Sequence, residues 1–108
     1  MIIDGVRTPI GRMGGALSGY RPEELAAIAL EGLLKKTGID PAIVDDVLIG
    51  HACTQHTAVN IARWAALKAG FPDSVPAQTI ERQCGSSLQT INTAAATIKA
   101  GFGDMIIA

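Results

Sequence analysis

The chain predicts an α/β domain, layered, with a mixed, largely parallel sheet. Short apolar runs alternate with helical segments in the order β-α-β-α-β-α-β. Each connection between successive strands is long enough to hold a helix, so parallel neighbours joined by right-handed crossovers are the economical arrangement. The helix ends also carry their own stop and start signals, which fixes the alternation independently of the apolar pattern.

Residues 1–6 read as a first strand, ended by Thr8-Pro9-Ile10-Gly11, and Gly11, Gly14, Gly15 and Gly19 mark a long loop after it. Pro22 at a first helical position, Glu23 and Glu24 in the first turn, Lys35 and Lys36 in the last and Gly38 just beyond define a helix. Its expected buried stripe is Leu25, Ile28, Ala29 and Leu33. Asp40-Pro41 caps a short turn before a strand at 44–52, where Val47, Leu48 and Ile49 read as buried. A loop at 53–59 leads to a second helix capped by Asn60 and stopped by Gly70 and Pro72.

The third strand, at 75–83, mixes Gln78, Glu81, Arg82 and Gln83 among Ala77, Thr79 and Ile80. A strand buried on both faces would not look like this. The helix expected at 84–100 carries Leu88, Ile91, Ala95 and Ile98 on one side and small residues elsewhere, a pattern that suits close packing on more than one face. Gly101 ends it, and residues 104–108 begin a fourth strand.

Composition narrows the function. Nine Lys and Arg against ten Asp and Glu leave a net charge of −1, which predicts no nucleic-acid partner, since phosphate binding needs clustered cations. The apolar runs fall far short of the ~18 residues of a membrane span, so no membrane association is expected. Cys53 and Cys84 share no spacing motif, which suits free thiols in a reducing, cytoplasmic or organelle-matrix compartment. At 48% apolar and 18% charged residues the 108-residue chain is an ordered globular piece of one-domain size.

The segment Arg82-Gln83-Cys84-Gly85-Ser86-Ser87-Leu88 puts a thiol where a strand gives way to a helix. Unpaired N–H groups and the helix dipole favour an anion there, and thiolate is the nucleophilic form of cysteine. The dipole is worth at most about 1 kcal/mol, too little to ionise a thiol at neutral pH without a base. In an α/β sheet this position, beyond the carboxyl end of a strand, is also where ligands sit.

Residues 1–15 (MIIDGVRTPIGRMGG), 58–70 (AVNIARWAALKAG), 75–88 (VPAQTIERQCGSSL) and 98–108 (IKAGFGDMIIA) resemble the opening of a thiolase, an acetyl-CoA C-acyltransferase, over the whole chain. RTPIG together with a Cys-Gly-Ser helix start is a specific combination. The resemblance implies a thiolase-like layered fold in which this unit is the N-terminal half and the helix after Cys84 is the buried central helix. It implies that Cys84 takes an acyl group from an acyl-CoA thioester, followed by Claisen condensation with acetyl-CoA or reverse thiolysis, with backbone at Gly85 contributing to the oxyanion site. Coenzyme A thioesters are then substrates, with no bound cofactor and no metal.

The family's Gly-His-Pro base and its second cysteine, in a Cys-x-Gly motif, do not occur in residues 1–108; the only histidines are His51 and His56. The chain therefore reads as an N-terminal thiolase portion over 1–108, without the loop domain or C-terminal half, inactive alone. It would act with the remainder of the polypeptide in a homodimer or tetramer; Glu81 and Arg82 read as either solvated side chains or interface residues, and the resemblance favours the interface. Two rivals stand beside this reading: a ketoacyl-synthase-like condensing enzyme, and a non-catalytic assembly subunit of the same fold. His51, Cys53 and His56 supply three potential zinc ligands but not the paired motifs of structural sites, so a loop with unrelated polar residues is the reading taken. Arg7, Arg63 and Trp64 read as structural.

Overall fold

The computed structural model describes residues 1–54 and 58–108. Three helices, α1 (Pro22–Thr37), α2 (Ile61–Lys68) and α3 (Ser86–Lys99), surround a sheet of β1 (Asp46–Gly50), β2 (Ala77–Ile80) and β3 (Ile106–Ile107). The strand order is β2-β1-β3, and both pairings are parallel, with Val47 opposite Ala77 and Ile107. From β1 the chain moves one way to β2 through α2, then back across β1 to β3 through α3. Right-handed crossovers in opposite directions put α2 and α3 on opposite faces, so the domain is doubly wound.

Local chemistry accounts for the ends of the elements. Arg21 N–H donates to Glu24 Oε2 at 2.9 Å, Pro22 occupies the first helical position, and Gly38 closes α1 at φ 68°, a conformation that costs glycine nothing. Asp40 Oδ1 accepts from Ala42 N–H to start a 3₁₀ turn, Pro41–Ile43. Asn60 Oδ1 accepts from Arg63 N–H and caps α2 as expected.

The core lies between the sheet and the α1–α2 layer. Ala27 and Leu30 of α1 meet Ala65 and Ala66 of α2, Val47 of β1, and Val44, Phe71 and Val75 from the connections, all buried. The buried line of α1 is Glu23, Ala27 and Leu30, on nearly the opposite side of the helix from the expected Leu25, Ile28, Ala29 and Leu33. α1 packs mainly on α2 and not over the sheet, which turns it by about 150°. Ala29 and Leu33 instead line a groove of about 770 Å³ that also takes in Leu48, Thr90 and Ala94, and Ile28 is exposed.

Residues 1–6 are not a strand, contrary to the sequence pattern. β3 contributes only two paired residues, so the sheet offers this segment little edge to join. It lies exposed along the groove, held by Lys36 Nζ, which donates to Asp4 Oδ1 at 2.6 Å and to Gly5 O at 3.1 Å. The other strands are shorter than their apolar runs, because the ladder ends where the parallel partners diverge.

α3 begins at Ser86, two residues later than expected, and its buried residues are Ser86, Thr90 and Ala94. Leu88, Ile91, Ala95 and Ile98 are all exposed in residues 1–108. The small polar face is the one on the sheet, because β1 and α3 approach too closely for larger side chains. A Cβ added at Gly50 would lie 2.5 Å from the Ser86 carbonyl carbon and the Ser87 nitrogen. Among the described residues no helix is long and apolar enough to cross a membrane.

Candidate active site

β1 and β2 end side by side, with Gly50 opposite Ile80 and His51 N–H donating to Ile80 O at 3.0 Å. Both carboxyl ends therefore open on the same edge of the sheet. There a pocket of about 350 Å³ is lined by Ala52, Cys53 and Thr54 after β1 and by Glu81 and Gln83 after β2. Cys84 adjoins it in sequence and is exposed.

The five residues between β2 and α3 form a tight turn. Gly85 N–H donates to Arg82 O at 3.0 Å and Ser86 N–H to Gln83 O at 3.1 Å. Gln83 has φ 49°, and it is the only described non-glycine residue in the left-handed region. Side chains reinforce the turn on both sides. Glu81 Oε1 accepts Gln83 N–H at 2.7 Å. Ser86 Oγ accepts Arg82 N–H at 2.9 Å and donates to Gln83 O at 2.6 Å. Farther along, Arg82 Nη1 donates to Gln89 Oε1, whose amide nitrogen donates to Thr93 Oγ1 at 3.1 Å.

Cys84 thus stands just outside the helix, two residues before its first turn, and not within that turn as the sequence suggested. Because the Gly85 N–H is taken by Arg82 O, Gly85 serves the turn. The Cys84 N–H has no acceptor among the described residues, and neither have the Ser87 and Leu88 N–H groups of the first helical turn. The arrangement is a strand-to-helix elbow: an exposed thiol beside N–H donors, on a backbone held by buried and local hydrogen bonds.

The other sequence candidates separate. His56 lies outside the described residues, so the His51, Cys53 and His56 grouping is not assembled here, and no cluster of three metal-ligating side chains occurs among the described residues. Arg63 is structural: it donates to Val75 O at 2.6 Å and to Asp73 O at 3.0 Å, pinning the entry to β2. Trp64 carries Lys68 Nζ 4.8 Å from its ring centre, and Arg7 donates to Thr8 O.

Sequence reasoning missed Gln83 and Ser86. A left-handed glutamine leaves no compositional trace, whereas a serine two residues after the cysteine, at the start of a helix, is a signal that was available. It read Glu23 only as a first-turn acid and did not foresee that it is fully buried. The Arg21 guanidinium lies 2.7 Å from Glu23 Oε1 but out of hydrogen-bond alignment, so both carboxylate oxygens lack a hydrogen-bond partner among the described residues.

Comparison with known proteins agrees with this fold. The family profile described as the thiolase N-terminal domain covers residues 1–108. The chain is 50% identical to a steroid 3-ketoacyl-CoA thiolase of Mycobacterium tuberculosis, over 99% of this chain and 26% of that protein. It is also 50% identical to a beta-ketoadipyl-CoA thiolase of Escherichia coli, over 99% of this chain and 27% of that protein. The solved acetyl-CoA acetyltransferase of Bacillus anthracis superposes with a TM-score of 0.88 at 46% identity, over 94% of this chain and 26% of that one. The chain spans about a quarter of the length of the curated relatives it matches. With a profile match over every residue and relatives at half identity, the chain belongs to the thiolase family.

Proposed function

We propose that this chain supplies the nucleophile of a thiolase-type acyl transfer, with Cys84 as the acylated residue. The observation that carries the reading is the elbow: an exposed thiol at the carboxyl edge of a parallel sheet, directly after a left-handed residue and two residues before a helix. Sγ of Cys84 attacks the thioester carbonyl of an acyl-CoA, the carbonyl carbon's bond to the CoA sulfur breaks, and the departing CoA thiolate takes a proton. The Cys84 N–H is the donor best suited to the oxyanion, since it has no acceptor among the described residues. In synthesis the acyl group then passes from Cys84 to the α-carbon of acetyl-CoA, which gives up a proton, and the new carbon–carbon bond replaces the bond to Sγ. In thiolysis Sγ instead attacks the 3-keto carbon of a 3-ketoacyl-CoA, and that carbon's bond to the α-carbon breaks. Acetyl-CoA leaves after its α-carbon takes a proton, and the sulfur of CoA then takes the acyl group from Cys84.

A base must take the Cys84 proton, and a second group must move the condensation proton. In thiolases these come from Gly-His-Pro and Cys-x-Gly motifs, which residues 1–108 do not contain. The remainder of a thiolase polypeptide is therefore the partner that completes the site. Substrates are CoA thioesters; the relatives named for steroid ketoacyl, ketoadipyl and acetyl groups span such different acyl chains that only the thioester is common to them. A soluble homodimer or tetramer in the cytoplasm is the setting that fits, with the outer edge of β2 toward the partner subunit.

The test is acylation of the full-length protein by acetyl-CoA, followed by peptide mass spectrometry. One acetyl group on the Cys84 peptide, absent from Cys84→Ala, is the expected result. Acetylation elsewhere with Cys84 unmodified would overturn the assignment.

A further inference from the structure

We propose that Ser86 is the positioning residue for Cys84: its buried hydroxyl holds Gln83 in the left-handed conformation and so sets the direction in which the Cys84 thiol and N–H are presented. The inference rests on Cys84 being the nucleophile, and it assigns to the same site a residue that does not touch substrate.

The argument starts from what Gln83 must overcome. At φ 49° its Cβ crowds its own backbone, so an ordinary residue returns to negative φ unless its surroundings prevent it. The Ser86 hydroxyl bridges the two groups that flank this distortion. It accepts the N–H of Arg82, one residue before Gln83, and donates to the carbonyl of Gln83 itself. Rotating Gln83 back toward negative φ would separate those two groups and break both bonds.

The Ser86 N–H also donates to Gln83 O at 3.1 Å, but the second side-chain bond at Gln83 holds less firmly. Glu81, which accepts the Gln83 N–H, is an exposed side chain free to exchange with water. Ser86 is 4% exposed, and the close approach of Gly50 to the Ser86–Ser87 peptide leaves it no room to move. A buried hydroxyl in a fixed frame is the stronger constraint, because no water replaces its bonds if they are lost. Cys84 follows Gln83 directly, so its N–H and Cα–Cβ directions are set by the torsions that Ser86 constrains.

The experiment uses the full-length protein and four variants: Ser86→Ala, Gln83→Gly, the double variant and Gln83→Val. Steady-state acetoacetyl-CoA thiolysis gives kcat and KM, and hydrogen exchange at the Gly85 and Ser86 amides reports the turn without needing turnover. Loss of the hydroxyl should lower kcat by roughly tenfold or more, with KM held within about twofold, and speed exchange at both amides by roughly tenfold. Glycine at 83 removes the cost of positive φ, so the double variant should recover most of the lost kcat and protection. Gln83→Val, with Ser86 intact, should reproduce the Ser86→Ala defect.

Equal losses in Ser86→Ala and the double variant would overturn the proposal, as would unchanged kcat and exchange in Ser86→Ala. If Ser86→Ala does not fold, Gln83→Val decides, since wild-type kcat in that variant would show that the left-handed turn does not matter. Absence of thiolysis by the wild-type protein would defeat the acyl-transfer reading alone, and the exchange measurements would still decide whether Ser86 holds the turn.

Discussion

Gly50 controls how near the helix that follows Cys84 can come to the sheet, and through that distance it shapes the whole site. Any side chain there would collide with the Ser86–Ser87 peptide at 2.5 Å, and backbone on both sides has little freedom to yield. Gly50→Ala is therefore expected to destabilise the fold by about 2–3 kcal/mol and to disturb Cys84. Urea denaturation of the full-length variant checks the first effect, and a change confined to within 0.5 kcal/mol or so would count against the close approach. Cys84 and Cys53 are both exposed, so exposure does not rank their reactivity. The N–H donors beside Cys84 do, and limiting iodoacetamide should label Cys84 first; preferential labelling of Cys53 would refute this. Cys84 was legible in the sequence because a thiol between a strand and a helix is a chemical pattern. Gln83 was not, because a backbone torsion depends on the path of the turn; Ser86 left a signal, a serine at the start of a helix, but the two hydrogen bonds it makes depend on that same path.

At the scale of elements, β3 is only two residues long and depends on a carboxylate to close against β1. Asp45 Oδ2 accepts the N–H groups of Asp104 at 2.7 Å and Met105 at 2.9 Å, while Asp45 N–H returns a bond to Met105 O at 2.8 Å. These backbone donors, Met105 foremost and Asp104 next, hold the Asp45 carboxyl below its ordinary range. A carboxyl lowered in the folded state stabilises that state fully above the unfolded value and loses its contribution as pH falls through the folded one. The β3 clasp should therefore loosen as pH drops below about 4, and Asp45→Asn should flatten that dependence while speeding amide exchange at Met105. An unchanged acid limb in Asp45→Asn would show that the clasp is held otherwise. Asp4, lowered by its bond from Lys36, and Glu24, lowered chiefly by the Arg21 N–H, act in the same acid direction. Helix ends were legible because Pro22, Gly38 and Asn60 act locally. The burial face of α3 was not, since hydrophobic periodicity ranks side chains by polarity and the sheet selects them by size.

For the molecule as a whole, the layered, largely parallel sheet was foreseeable from the alternation of elements, but the first strand was not excluded by it, because pairing needs a partner edge that periodicity cannot see. The α3 face of Leu88, Ile91, Ala95 and Ile98 is exposed in residues 1–108, an apolar surface of the kind that soluble domains cover. A second, similar half stacked on it would bury this face and bring a base to Cys84 at the same time. The 108-residue chain by itself should accordingly show no thiolysis of acetoacetyl-CoA and should associate through α3. General-base help is worth about 10²- to 10⁴-fold and correct positioning of CoA more again, and residues 1–108 lack the family's base motif. Adding a separately produced C-terminal portion should restore turnover and reduce association together, because one surface serves both. Turnover by the short chain alone would overturn this expectation, and His51→Ala and His56→Ala would then show which histidine had supplied the base.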